Sequence, residues 1–117
     1  MDYRDLVAWQ KAMGLAEQVY RQTATYPVHE RYGLTSQMRR SATSIPSNIA
    51  EGQGRRSSDQ ELVRFLQIAH GSLCELQTQL ELSVRLKLIS NDRAADLREN
   101  GEEVGRLLGG LIRAKSQ

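Results

Sequence analysis

The longest regular apolar pattern in this chain, between positions 62 and 84, limits its possible folds most strongly. The residues before it, Ser58-Asp59-Gln60-Glu61, fit the S-x-x-E capping box that begins an α-helix. Apolar side chains then recur every three or four positions on one helical face, and further apolar residues widen that face. We therefore expect a long central helix that ends near Leu88 and is buried on more than one side. Its stripe contains Leu62, Phe65, Ala69, Leu73, Leu76, Leu80 and Val84, and the widening residues are Leu66, Ile68, Leu82 and Leu86.

Three further segments have the same helical spacing and are separated by short turns. No segment alternates apolar and polar residues as a half-buried strand would. We predict a single all-α domain over residues 1–117, folded as an up-down-up-down antiparallel four-helix bundle. The expected helices are Asp5–Tyr26, with Asp5 as N-cap, then Leu34–Gly52, and finally Asn91–Ala114, with Ser90 as N-cap. The apolar face of the first helix would contain Leu6, Trp9, Met13, Ala16 and Tyr20.

Pro46 lies in the middle of the second helix. A proline inside a helix removes one backbone hydrogen bond and costs about 3 kcal/mol. Apolar residues nevertheless keep the helical spacing on both sides of it, at Ala42, Ile45 and Ile49. We therefore predict one helix, kinked at Pro46, rather than two. The segment Gly52-Gln53-Gly54 is typical of a C-cap and turn.

Three glycines, Gly101, Gly105 and Gly109, repeat every four residues along the last helix. Each glycine weakens a helix by about 1 kcal/mol relative to alanine. One interpretation is a close approach by another helix, which would offset that cost. The other is a weakly helical, frayed C-terminus.

Composition narrows the class of protein without fixing a function. The net charge of +2 does not by itself indicate a nucleic-acid partner. The N-terminus has no apolar signal-peptide core, and no apolar run approaches the ~20 residues needed to span a membrane. The single Cys74 cannot form an internal disulfide, and its apolar neighbours predict a small buried side chain. We expect a cytoplasmic protein without a membrane partner.

The sequence offers no metal-ligand set and no cofactor motif. The Glu-x-x-His pattern of di-iron bundles does not occur, and His29, His70 and one cysteine are too scattered for a zinc site. The pair Gly52-x-Gly54 lacks the strand and the third glycine of a phosphate-binding loop. We predict no metal and no cofactor.

Five polar residues form a candidate cluster between the second and third helices. Ser44, Asn48 and Glu51 share one face of the second helix, and Ser72 and Glu75 are three residues apart on the third. One interpretation is an acid/base site. We favour a structural network that fixes helix register or a subunit contact, because no nucleophile or second catalytic pattern accompanies the cluster. The sequence therefore predicts no catalytic residue and no enzyme.

Two arginine pairs, Arg39-Arg40 and Arg55-Arg56, bracket the segment that contains Pro46. Arginines at a helix face and at the following turn can contact nucleic-acid phosphates. For an isolated monomer we favour a solvated surface with ordinary ion pairs. Assembly would favour phosphate binding over a solvated surface, because a symmetric ring repeats the same arginine patch and adds the electric fields of its copies.

Several short motifs, in their order from about Asp5 to Ile89, resemble a known protein family. It is the four-helix-bundle family first known from intervening sequences in bacterial 23S ribosomal RNA genes. The motifs are Asp5-Leu6 with Trp9-Gln10-Lys11-Ala12, Pro27 with Glu30-Arg31-Tyr32-Gly33-Leu34, Ser36-Gln37-Met38-Arg39-Arg40, Ser44-Ile45-Pro46 with Asn48-Ile49-Ala50-Glu51-Gly52, Arg55-Arg56, Phe65-Leu66, Ile68-Ala69, Gly71-Ser72 and Glu75-Leu76.

This resemblance implies a cytosolic four-helix bundle that assembles as a homopentamer and has no established activity. The family is similar in fold to the accessory variability determinant of diversity-generating retroelements, a basic pentamer that binds a reverse transcriptase and nucleic acid. Association with ribosomal RNA is the older suggestion for the family. By that analogy the candidate RNA contacts are Arg39, Arg40, Arg55 and Arg56.

Together, the residues and the resemblance predict a non-enzymatic oligomeric scaffold. We expect it to bind RNA, with ribosomal RNA as a candidate, through arginines repeated around a ring. The alternative is a protein–protein interaction adaptor without a nucleic-acid role.

Overall fold

A computed structural model describes residues 2–55 and 57–117 of the chain. These residues form four α-helices: α1 (Val7–Thr23), α2 (Leu34–Arg55), α3 (Asp59–Arg85) and α4 (Asn91–Lys115). Single-turn 3₁₀ helices, Tyr3–Asp5 and Val28–Glu30, precede α1 and α2. Each helix packs against the next one along the chain, and α4 packs back against α1. This arrangement confirms the predicted all-α four-helix bundle.

The core of the bundle consists mainly of aliphatic side chains, and all four helices contribute to it. Fully burying one such side chain contributes about 1.5–3 kcal/mol, so this core is the main stabilising element. Among the described residues, no helix combines the length and apolar character needed to cross a membrane. The largest fully buried apolar side chains are Leu15, Val19, Met38, Ile45, Ile49, Leu66, Leu73, Val104 and Leu108.

Helix α2 continues through the buried Pro46 to Arg55, so the C-cap predicted at Gly52 is wrong. Gly52 is buried inside the helix. A Cβ atom there would lie 2.7 Å from the Cβ atom of Phe65 and 3.2 Å from a methyl carbon of Leu62. The glycine is therefore needed because α2 and α3 approach each other closely at this point. The kink at Pro46 stays a prediction.

Helix α1 begins later than its sequence pattern predicts, and a different set of its residues faces the core. The predicted N-cap, Asp5, lies in the 3₁₀ turn, and the cap of that turn is the Asp2 carboxylate, which accepts a hydrogen bond from the Arg4 amide at 2.9 Å. Met13 and Tyr20 are exposed. Three alanines, two aliphatic residues and one threonine form the buried face instead. The buried residues of α1 are Ala8, Ala12, Leu15, Ala16, Val19 and Thr23.

The N-cap half of the capping box at the start of α3 is confirmed, since the Ser58 hydroxyl accepts a hydrogen bond from the Glu61 amide at 3.1 Å. The Glu61 carboxylate accepts a hydrogen bond from the Ser57 hydroxyl at 3.2 Å. The helix ends at Arg85, before the predicted Leu88. Lys87 has a left-handed φ of 62°. The Leu88 amide then bonds the Ser83 carbonyl at 2.9 Å. This is the Schellman arrangement, which is usually built on glycine. Lys87 takes the glycine position here, so no glycine marks this helix end in the sequence.

One face of α3 points away from the bundle. Ile68, Leu82 and Leu86 remain 47%, 45% and 54% exposed, so the prediction that these widening residues are buried within the subunit is wrong. Leu66 is fully buried, as predicted. Cys74 is also exposed, contrary to expectation, because it lies about 100° around the helix from the buried Leu73.

Helix α4 continues through its glycine track to Lys115. Gly101 is buried, and a Cβ atom there would lie 3.6 Å from the side chain of Gln77 in α3. At Gly105 a Cβ atom would lie 3.3 Å from a methyl carbon of Leu73. The contact is of ordinary van der Waals length at Gly101 and slightly tighter at Gly105, and both are with side chains of α3. No backbone atom of another helix is among these nearest atoms, so the predicted close backbone approach is not what these two glycines meet. A Cβ atom at Gly109 would instead meet Arg113 of the same helix.

Replacing Gly52 with alanine should destabilise the fold. The added methyl group would overlap the Cβ atom of Phe65, which cannot move without its backbone. We expect the free energy of unfolding, measured by urea denaturation, to fall by about 1–3 kcal/mol. The matched control is Gly14→Ala in α1, where a Cβ atom has no neighbour within 4 Å. That control should stabilise the protein by up to about 1 kcal/mol, and equal effects from the two changes would contradict the packing assignment.

An ion pair between α3 and α4 should make stability depend on pH. The Arg98 guanidinium donates two hydrogen bonds to Glu81, at 2.7 and 2.9 Å, and these lower the pKa of that carboxyl. The stabilisation is therefore complete above the ordinary glutamate pKa of about 4.3 and is lost as the pH falls through the lowered value. We expect Glu81→Gln to destabilise the protein near neutral pH and to have little effect in strong acid.

The effect of Glu81→Gln should be small, because both side chains are partly exposed and solvent screens their attraction. Urea denaturation across a pH series measures it. The control is Glu102→Gln, an identical change at an exposed position of α4. A pH-independent loss in the Glu81 variant would contradict the electrostatic assignment.

Candidate nucleic-acid interface

The two predicted arginine pairs lie near opposite ends of α2. Arg39 and Arg55 are 55 − 39 = 16 residues apart in one helix, which separates them by about 24 Å along its axis. They therefore do not form a single patch within one subunit. Arg56, the last member of the predicted set, lies outside the described residues.

Arg39 is tied to α1 by three contacts. Its Nε atom donates a hydrogen bond to the Thr23 hydroxyl at 3.0 Å, and an Nη atom donates to the Tyr20 carbonyl at 3.3 Å. The guanidinium also lies 4.5 Å from the centre of the Tyr20 ring, within the range of a cation–π interaction. Arg39 is partly buried as a result and joins α1 to α2, so its guanidinium has a fixed position.

Arg39 and Arg40 line an open groove with a volume of about 340 Å³. We call it the arginine groove. Its walls come from α1, from the turn between α1 and α2, and from the first turns of α2. The lining contains three arginines, two tyrosines and three hydroxyl residues, and no acidic residue is among them. The lining residues are Tyr20, Arg31, Tyr32, Thr35, Ser36, Arg39, Arg40 and Thr43.

The turn before α2 contains one carboxylate, that of Glu30, and Glu30 is not among the residues that line the groove. An oxygen of Glu30 accepts a hydrogen bond from the Leu34 amide at 3.1 Å, at the N-terminus of α2. The positive end of the helix dipole favours a negative charge there. Two neighbours in the same turn, Arg31 and Tyr32, are exposed. The Tyr32 side chain is 89% exposed, so it contributes almost nothing to the core.

Sequence reasoning proposed Arg39 and Arg40 but missed Arg31, Tyr20 and Tyr32 as members of the same site. The three missed residues belong to a turn and to the predicted core face of α1, where no motif marks a binding role. A usable signal was present, because Arg31 and Tyr32 are adjacent in the turn directly before a helix. The fold then adds the other tyrosine from α1.

Arg55, in the second pair, forms an exposed ion pair with Glu51 at 3.3 Å, four residues earlier in α2. Exposed pairs of this kind contribute only about 0–1 kcal/mol, so Arg55 can exchange that partner for a phosphate at little cost. It remains a candidate for a separate contact far from the arginine groove.

The predicted polar cluster forms only in part. The hydroxyls of Ser44 and Ser72 lie 2.8 Å apart and join α2 to α3, and the Asn48 amide nitrogen donates to the Ser44 carbonyl and hydroxyl at 2.8 and 3.0 Å. Glu51 and Glu75 are exposed and lie outside this network, which corrects the prediction. Glu51 is directed to Arg55, and Glu75 lies on the outward face of α3. The hydrogen-bonded part therefore joins α2 to α3, and its structural role stays a prediction.

Within the described ranges, no group of three or more histidine, cysteine, aspartate and glutamate side chains is placed to hold a metal ion. The Cys74 sulfur and the His70 Nδ1 atom lie 3.8 Å apart on the exposed surface of α3. A pair of this kind is too small a donor set for a structural zinc ion, which takes four ligands.

Comparison with known proteins identifies relatives of the whole bundle. The sequence model of the 23S rRNA-intervening sequence protein family matches residues 4–110. A crystal structure from Bacteroides thetaiotaomicron, of a protein with unknown function from the S23 ribosomal protein family, is 26% identical and superimposes with a TM-score of 0.79. The similarity covers 91% of this chain and 98% of that one. No curated protein matched this sequence significantly.

Asn48→Ala should lower the free energy of unfolding by about 1 kcal/mol, because it removes two hydrogen bonds from the partly buried serine network. Glu75→Ala is the matched control on the opposing helix, and its effect should stay within about 0.5 kcal/mol because the carboxylate is exposed. Urea denaturation measures both changes. Equal losses would mean that the network extends to Glu75, contrary to this structure.

Proposed function

This chain belongs to the 23S rRNA-intervening sequence protein family, and on that premise we propose that it is a non-enzymatic oligomeric scaffold that binds RNA. We propose a cytoplasmic location for the protein and ribosomal RNA as the candidate ligand. Neither the family description nor that of the solved relative names an enzyme.

The observation that carries the proposal is the arginine groove. It brings three guanidinium groups together on a surface whose lining contains no carboxylate. Arginine binds phosphate oxygens through paired, charge-assisted hydrogen bonds. Arg31 and Arg40 are exposed, and Arg39 is fixed by its contacts with α1. Such a surface favours the phosphate backbone of RNA, although the whole chain has a net charge of only +2.

The outward face of α3 supports the oligomeric part of the proposal. The bundle is closed without Ile68, Leu82 and Leu86, so these exposed side chains have no place in the subunit core. The same face carries Arg64 and Glu75, at helical positions in line with the three apolar residues. A face with both charge signs suits pairing with a second copy of the chain, and a ring such as a homopentamer would repeat the arginine groove around its axis.

The second candidate function is a protein–protein interaction adaptor that binds no nucleic acid. The same exposed apolar residues of α3 favour it, because exposed apolar patches mark protein-binding surfaces. The two functions differ in what they require of the arginine groove. Only the RNA-binding scaffold needs its positive charge.

The double substitution Arg31→Glu/Arg40→Glu should weaken RNA binding by at least about ten-fold, because it reverses two groove charges. The assay is fluorescence anisotropy of a labelled ribosomal RNA fragment across a salt series. The slope of log affinity against log salt should also become shallower, by about one unit for each lost phosphate contact.

The matched control is Arg106→Glu/Arg113→Glu, which changes the net charge equally on α4. In the described residues α4 contacts α1 and α3 and does not contact α2, so it lies diagonally across from the groove helix. This control should lose less RNA affinity than the Arg31→Glu/Arg40→Glu variant does. Equal losses in both double variants would show non-specific attraction to the whole chain and would contradict the groove assignment.

A further inference from the structure

We infer that the arginine groove binds unpaired RNA, with one base stacked on Tyr32 and the adjoining phosphates held by Arg31 and Arg40. This inference rests on the proposed RNA-binding function and goes beyond it, because it specifies the form of RNA that the groove accepts. It also assigns a binding role to Tyr32, an aromatic residue in the turn before α2.

Tyr32 lies on the surface of the turn before α2. Its side chain is a large aromatic group next to Arg31, and it is 89% exposed. An aromatic side chain that adds nothing to the core is available to stack on a base. Stacking of bases on aromatic side chains is the usual way in which proteins hold unpaired nucleotides, and it tolerates any sequence because every base has a flat face.

Tyr32 shares the groove with arginines whose side chains differ in mobility. Arg31 and Arg40 are exposed and can move to follow a flexible backbone. Arg39 cannot, because Thr23 and the Tyr20 ring fix it. We assign Arg39 as a positioning residue that holds α1 against α2 and so keeps the groove open. The two mobile arginines then contact the phosphates.

The arginine groove is small. A volume of about 340 Å³ lies at the lower end of the range that holds small-molecule ligands. Such a groove suits one or two nucleotides rather than the side of a duplex. In a duplex the base faces are also stacked on each other and cannot reach Tyr32. The hydroxyls of Thr35 and Ser36 line the same groove and match the hydrogen-bonding capacity of a ribose 2′-hydroxyl.

The test compares two forms of one labelled RNA by fluorescence anisotropy with the full-length chain. One is an unstructured strand of about 12 nucleotides, within the usual range of single-strand site sizes, and the other is the same strand annealed to its complement. The parent protein should bind the single strand more tightly than the duplex. Tyr32→Ala should weaken single-strand binding by about ten-fold and leave duplex binding unchanged.

Tyr32→Phe is the control, because it keeps the ring and should bind like the parent. Since Tyr32 lies outside the core, both variants should melt and assemble like the parent, which separates binding from folding. The Arg31→Glu/Arg40→Glu variant should lose affinity for both forms of RNA. It thereby reports on the electrostatic part of the site independently of stacking.

Two results would overturn the inference while leaving the proposed function in place. One is a parent protein that binds duplex as tightly as single strand. The other is a Tyr32→Ala variant that binds the single strand like the parent, while the arginine variant still loses affinity. If the parent protein binds neither form of RNA, the proposed RNA-binding function fails and the inference fails with it.

Discussion

The packing of α2 between α1 and α3 is the constraint on which the rest of this structure depends. On the α3 side, Gly52 allows close approach to Phe65, and the Ser44 hydroxyl meets that of Ser72. On the α1 side, the Arg39 guanidinium lies against Tyr20. The first set of contacts fixes the depth and register of α2 in the bundle. The second set makes one wall of the arginine groove, so the fold and the candidate site share one helix.

The functional proposal depends on where the charges lie, and much less on their total. A net charge of +2 would attract nucleic acid only weakly. The fold concentrates three arginines around one groove and directs the nearby Glu30 to the N-terminus of α2. An assembly of several copies would multiply that local charge. The exposed residues of α3, including Ile68 and Leu82, give such an assembly a surface on which to form.

Sequence patterns predicted the bundle well, because helical spacing and capping boxes are local signals. They failed where a neighbouring helix decides the outcome. Gly52 resembled a helix end, yet it is a point of close packing, and Cys74 had apolar neighbours in sequence but faces outward. The candidate site was half predicted for the same reason. Arg39 and Arg40 form a visible pair, whereas Tyr20 joins them only because α1 folds back beside α2.

The most direct test of the central claim is the solution mass of the protein, measured by light scattering across a salt series with and without ribosomal RNA. The account predicts a multiple of the 13.2 kDa subunit mass that takes up RNA at low salt and releases it at high salt. An assembly whose mass does not change on addition of RNA at any salt concentration would contradict RNA binding. A monomer would contradict the repeated groove on which the proposed scaffold depends.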